Sequence, residues 1–425
     1  MTFALAIALS VLRAAGDEDI DLHGAGFLGE LGLDGEVRPI RGAMVLAAEL
    51  VASGAGRIFV PEANLAEMFS CPVPVHPART LSELVAHLRG LEPAPPVSPV
   101  LPPPPGAAVG GVGLDDIHGQ EVAKRAVTVA AVGGHHLLLA GPPGAGKTML
   151  ARAFAALLPD LDPGHALEVT RIHSVAGLLH GPGLVTRPPL RAPHHSISSA
   201  GLLGGGRSGL GEVSLANRGV LLLDELPEFH RDCLEALREP LEEGAVRISR
   251  VSGTRSVPAR FILLATANPC PCGFGRIRRR PGEDLGRCQC PPEVIDRYQR
   301  RLSGPLRDRL DMLVEVDSVE LTGLDPLVAE NGAGIRDRVA AARRRQVERQ
   351  GDGRWNAELT PRELAAACPL DPAARMRLPS LARTHGLSGR GFHAALRVAR
   401  SVADLEGHET VEEADLLEAV AYRAG

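Results

Sequence analysis

The stretch from His136 to Leu158 constrains the fold more than any other part of the chain. His136-Leu137-Leu138-Leu139-Ala140 reads as a buried strand, and Met149 to Leu158 reads as a helix. Between them stands Gly141-Pro142-Pro143-Gly144-Ala145-Gly146-Lys147-Thr148, which fits GxxxxGK[ST] in full. A chance match in a Gly-rich chain would not bring both flanks with it. The glycines let backbone N–H groups turn inward around phosphate oxygens, and the helix N-terminus adds partial positive charge. Lys147 is then placed to neutralise the β and γ phosphates of a nucleotide, and the Thr148 hydroxyl to ligate Mg²⁺.

Two further apolar runs end in polar tips. Val220-Leu221-Leu222-Leu223 leads into Asp224-Glu225. After a phosphate loop, Asp224 suits the Mg²⁺ shell and Glu225 suits polarising the attacking water. By itself the pair would also fit a solvated helix start, where acidic residues are favoured. Phe261-Ile262-Leu263-Leu264-Ala265-Thr266-Ala267 leads into Asn268-Pro269. Asn268 is either a group that positions the lytic water or part of a simple Asn-Pro turn.

Length allows more than this one domain. At roughly 150 residues per domain, 425 residues make two or three. The sharpest boundary is Glu92 to Pro105, EPAPPVSPVLPPPP, which suits a stiff extended linker and no helix interior. The expected organisation is a small α/β region at 1–91, a Pro-rich linker at 92–109, a large α/β region at 110–320 and a mostly helical end at 321–425.

Apolar residues make up 44% of the chain, enough for real cores, while aromatics at 3% leave those cores to Leu, Val and Ala. A net charge of −5 gives no global field for nucleic acid, so any DNA contact must be local. Only Lys124 and Lys147 are lysines, so arginine does nearly all other cationic work. No run of eighteen apolar residues is present to span a membrane, and Met1 to Leu12 lacks the basic start of a signal peptide. A cytoplasmic location is expected.

Four of the seven cysteines cluster as Cys270-Pro271-Cys272 and Cys288-Gln289-Cys290, around a 15-residue loop that carries Arg276, Arg278, Arg279, Arg280 and Arg287. Four thiolates can close a tetrahedral Zn²⁺ site. Disulfides or unpaired thiols are the competing reading, and a cytosolic setting disfavours disulfides. The arginines make the loop a candidate DNA contact through Arg278 and Arg279.

The segments GPPGAGKT, RAPHHSISSAGLLGGG, GEVSLANRGVLLLDELPEF, LREPLEEG, ANPCPCG and RYQRRLSGPLRDRLD together resemble the ComM/YifB group of magnesium-chelatase-like AAA+ proteins. The resemblance spans nearly the whole chain. It implies an α/β fold with a parallel-sheet P-loop AAA+ core, a C-terminal helical lid and a Lon-protease-like α/β domain in front. It also implies a ring, usually a hexamer, with ATP bound between subunits.

Residue roles follow from the same resemblance. Asn268 matches sensor 1, Arg309 the finger that reaches a neighbour's γ-phosphate, and Arg390 sensor 2 in the lid. Asp116, Gly119 and Gln120 match the segment bordering adenine. Chemistry alone would allow Arg309 to be a surface arginine. Gly244 to Pro258 reads as a hairpin before sensor 1, with Arg247, Arg250 and Arg255 available to grip phosphates in a pore or to sit as solvated loop charge. Arg187 to Gly206 resembles an insertion in the second helix, where His194-His195 either contact DNA or cap a turn.

In the front region, Gly29 to Ile40 resembles the C-terminal part of the Lon-protease-like domain. Met44 stands about where the protease lysine would fall, so the domain is expected to be non-proteolytic. The domain is also expected to be incomplete at its start, with an unpaired sheet edge and partial disorder over 1–91. The leading function is an ATP-driven helicase or translocase that promotes branch migration of single-stranded or branched DNA during natural transformation. The alternative is a magnesium-chelatase-type motor that remodels a protein partner.

Overall fold

The structure is a computed structural model. It describes residues 3–16, 19–92, 95–97, 113–179, 183–205, 209–250, 253–275, 288–317, 332–351 and 353–423. Most of the Pro-rich linker, the boundary at 320 and the arginines of the cysteine loop lie outside the described residues.

The chain divides into two compact units, one of 1–107 with 162–186 and one of 108–161 with 187–425. In the first unit, strands Ala25–Phe27, Arg57–Pro61 and Val75–Ala78 form a parallel sheet in that order. Alternation along the middle strand sends Phe59 to one apolar cluster, with Leu5, Leu9 and Leu84. Ile58 and Val60 go to another, with Met44 and Ala47. Residues 3–16 and 19–91 thus hold cores of their own. Their sheet edges are the strands Ala25–Phe27 and Val75–Ala78. Met44 is buried in the second cluster, so no cation stands at that position.

Helix Pro163–Ala176 belongs to this first unit although it lies beyond the phosphate loop in sequence. Its Leu167 joins the cluster around Met44, and the Gly42 N–H donates to the Ser174 carbonyl at 3.0 Å. An amphipathic pattern fixes which face of a helix is buried, not which sheet covers it.

The second unit carries a five-stranded, wholly parallel sheet. Its order is Met312–Glu315, Leu137–Ala140, Ile262–Ala267, Val220–Leu223, Leu190–Arg191. Numbered along the chain this is 5-1-4-3-2. The strands are continuous apolar runs because both faces are covered. Leu137, Leu139, Leu222 and Leu264 enter one core, and Leu138, Leu221, Leu223 and Leu263 enter the other. Leu190–Arg191, inside the segment read as a helix insertion, is the edge strand of this sheet. Arg191 is held there by Glu212 at 2.6 Å. Among the described residues, no helix is long and apolar enough to cross a membrane.

The C-terminal helices complete the first of these cores. Val398, Ala399 and Val402 of helix Gly389–Glu406 pack with Ala126, Val127 and Ala130 of helix Glu121–Gly133. Polar ties reinforce the seam: Gln346 Nε2 donates to the Val132 carbonyl at 2.9 Å, and Arg125 pairs with Glu418 at 2.8 Å. Ser388 and Asp371 cap their helices through side-chain oxygens, as their sequence positions imply.

Candidate nucleotide site

Three neighbouring strands end together, and their tips make the site. Register pairs Ala140 with Ala267 and Leu223 with Ala265, so Gly141 emerges beside Asn268 and Asp224 beside Thr266, two residues earlier on the shared middle strand. Ligands of open parallel sheets gather at such carboxyl ends. The loop after Ala140 turns through Gly144 and Gly146 at φ +79° and +83°, and helix Lys147–Leu157 starts directly behind it. A Cβ at either glycine would meet nothing within 4 Å, so the loop encloses an open cradle of backbone. That cradle fits a phosphate chain, bound by N–H groups at a helix start.

Lys147 is buried and reaches across the loop. Its Nζ donates to the Gly141 carbonyl at 2.8 Å, the Pro142 carbonyl at 2.7 Å and Asn268 Oδ1 at 3.1 Å. Burial lowers its pKa, and the carboxylates of Asp224 and Glu225 oppose that fall. Thr148 Oγ1 donates toward Asp224 at 3.1 Å. A hydroxyl and a carboxylate at that spacing are a hard oxygen pair of the type Mg²⁺ takes.

One residue that sequence reasoning passed over organises the acidic pair. Thr266 is fully buried, its Oγ1 donates to Asp224 Oδ1 at 2.5 Å, and the same oxygen accepts the Glu225 N–H at 3.0 Å. Glu225 sits at φ +55°, a left-handed conformation rare outside glycine. The Thr266 hydroxyl helps hold that turn. The only signal in the sequence is a hydroxyl inside an otherwise apolar strand.

Gln120, also at positive φ, donates to the Ala145 carbonyl at 3.2 Å and the Asp317 carbonyl at 2.5 Å. It therefore braces the back of the phosphate loop. Asp116 accepts the Gly113 N–H at 2.8 Å and closes the turn that precedes it.

Arg309 and Arg390 meet elsewhere in the unit. Both donate to Glu242 Oε1, Arg390 at 2.8 Å, and Arg309 Nη1 also donates to the Pro305 carbonyl. They line a cavity of about 520 Å³ that no residue of the phosphate loop borders among the described residues.

Ala245–Arg250 and Gly253–Pro258 form the expected antiparallel hairpin, with Arg255 opposite Ile248. Arg255 is exposed, whereas Arg247 is paired with Glu243 at 2.7 Å. The side chain of Arg250 and all of Arg278 and Arg279 lie outside the described residues. His194 and His195 pack ring on ring at 4.0 Å, and His194 Nδ1 meets the Ser196 hydroxyl at 2.9 Å, which is a turn-capping arrangement.

Fold and site together define a P-loop nucleotide-binding protein with a parallel 5-1-4-3-2 sheet. Three family descriptions match the chain: magnesium chelatase, subunit ChlI, over residues 113–324; its C-terminal part over 329–423; and subunit ChlI of Mg-chelatase over 1–64. The uncharacterized protein Rv2897c of Mycobacterium tuberculosis is 42% identical over 432 residues, covering 99% of this chain and 83% of its own length. Competence protein ComM of Haemophilus influenzae is 39% identical, over 99% of this chain and 82% of its own length. The uncharacterized protein YifB of Escherichia coli is 38% identical with the same coverage. The chain belongs to the ComM/YifB group of magnesium-chelatase-like AAA+ proteins, a family of ATPases that implies ATP and Mg²⁺.

Proposed function

We propose that this chain is a subunit of an ATP-driven ring motor, a homo-hexamer, that moves single-stranded or branched DNA and promotes branch migration during natural transformation. The observation that carries the motor reading is the convergence of Lys147, Thr148, Asp224, Glu225 and Asn268 at three adjacent strand ends. The DNA reading is supported by the exposed Arg255 on its hairpin and by the name of the competence relative. Seven cysteines with no disulfide among them fit a reducing cytoplasm.

When bound, ATP and Mg²⁺ supply the reacting phosphoryl group and the cation that spreads its charge. Gly141 to Gly146 cradle the phosphates with backbone N–H groups, and Lys147 holds the β and γ oxygens. Thr148 and Asp224 would hold the metal. Glu225 accepts the proton of the attacking water, and Asn268 orients that water. Arg309 serves the site of an adjoining subunit, where its charge stabilises the transition state, and Arg390 is sensor 2 of the lid. Asp116 and Gln120 border the nucleotide at the other end of the loop. Cys270, Cys272, Cys288 and Cys290 would hold Zn²⁺ as a further, structural cofactor. Within the second unit, 110–320 is the motor core and 321–425 the lid.

ATP turnover by the full chain, with and without single-stranded and branched DNA across a salt series, tests this reading. Stimulation that weakens steeply with salt is expected. Lys147→Ala should abolish turnover, and Glu225→Gln should trap the ATP-bound ring. Unchanged turnover with every DNA form would reject the DNA assignment. A chelatase-type motor acting on a protein partner is the second reading, favoured by the three matched chelatase descriptions. Co-purification with a large porphyrin-binding subunit would select it.

A further inference from the structure

The strand that delivers Asn268 to the nucleotide site runs straight into the cysteine cluster. The Sγ atoms of Cys270, Cys272, Cys288 and Cys290 all lie within 4.8 Å of one another. Cys270 and Cys272 are 3.3 Å apart, and Cys288 stands 3.7 Å from each. Sulfurs bound tetrahedrally to Zn²⁺ at roughly 2.3 Å sit roughly 3.8 Å apart along each edge. A disulfide needs about 2.05 Å, and all seven cysteines are free. Cys270 is buried, and the Gly275 N–H donates to its sulfur at 3.2 Å. An N–H aimed at a sulfur is the outer-shell support that metal thiolates receive.

The cluster touches the nucleotide machinery on two sides. Cys270 follows Asn268 by two residues, and Asn268 Oδ1 accepts from Lys147 Nζ at 3.1 Å. Gln299 Nε2 fixes the residue between them by donating to the Pro269 carbonyl at 3.2 Å. On the other side Gly273, at φ +82°, lies against Pro143 of the phosphate loop, and a Cβ there would stand 2.5 Å from Pro143 Cδ. Whatever holds Cys270 and Cys272 in place therefore holds the Asn268 turn and one wall of the phosphate loop.

We propose that the four thiolates bind one Zn²⁺ and that this metal positions the nucleotide site, keeping Asn268 and Pro143 in register for hydrolysis. Four thiols release their protons on binding, and no redox step is involved. The cysteines are positioning residues, acting through Asn268 and the loop. This inference rests on the reading of Gly141 to Thr148 as an ATPase site.

The test uses the full chain purified without chelator. Metal analysis is expected to give about one zinc per chain, and Co²⁺ substitution to give thiolate-to-metal charge-transfer absorption. Zinc stripped by a chromogenic chelator should lower kcat for ATP at least tenfold while binding of a fluorescent ATP analogue changes less than threefold, and re-added Zn²⁺ should restore kcat. Gly273→Ala should keep its zinc and still lose turnover, because its methyl group displaces Pro143. Zinc-free wild-type protein would overturn the metal assignment. Full kcat in the stripped chain, or in zinc-replete Gly273→Ala, would overturn the positioning role. A zinc-replete wild-type chain with no ATP turnover would instead sink the ATPase reading and leave the metal assignment standing.

Discussion

Thr266 shows how one atom can set the geometry of a charged site. Its Oγ1 gives its proton to Asp224 and takes the Glu225 N–H, so both carboxylate residues depend on it. Thr266→Val keeps the strand and the volume and removes both bonds. A hydrogen bond to a charged group contributes about 1.5–3 kcal/mol, so turnover should fall roughly 10- to 100-fold, with Thr266→Ser restoring most of it. Steady-state ATP hydrolysis checks this, and an unimpaired Val variant would deny Thr266 the role. The loop, the acidic pair and Asn268 were legible in sequence because each ends an apolar run in a polar tip. Thr266 was not, since threonine is common in strands and only the register sets it beside Asp224. Nor was the meeting of Arg309 and Arg390 on Glu242, which lies 148 positions from Arg390.

At the scale of elements, the C-terminal helices are joined by a buried polar knot. Asp404 receives Arg349 at 2.7 and 2.8 Å, Arg400 at 3.0 Å and Asn356 Nδ2 at 2.8 Å. It thereby links helices Gly332–Gln350 and Gly389–Glu406 with the turn at Asn356–Glu358. Arg400 and Asp404 are both 1% exposed at the side chain, so losing the carboxylate leaves a cation without its partner in the interior. Asp404→Ala should lower stability by about 3–5 kcal/mol, read from chemical denaturation. A loss below about 1 kcal/mol would place that pair's worth in the surface range. The helical character of this end was readable from its amphipathic stretches. The two-residue edge strand Leu190–Arg191 was not, because two residues carry no periodicity.

At the scale of the molecule, the sequence suggested beads in a row, and the division into units does not follow that order. The backbone passes from one unit to the other near 107, returns at 162 and leaves again at 186. The Pro-rich stretch is thus one of three covalent crossings. A single cut engineered between 98 and 112 should leave two fragments that co-elute without denaturant, since 162–186 remains packed with 1–97. Separation of the fragments on a sizing column would contradict this. The destination of helix Pro163–Ala176 was not legible, because Ala166, Val169 and Ile172 announce a buried face and not the surface that receives it.

That thrice-crossed chain has a bearing on how the protein can be shortened or recombined. A version begun at 108 would keep the whole phosphate-loop sheet and orphan the helix that 1–107 normally shelters, taking from Leu167 its apolar cluster and from Ser174 its bonds to Gly42 and Glu67. The front unit is therefore not a detachable module in the genetic sense. A viable deletion must excise two separate intervals, and a swap between relatives must exchange both or neither.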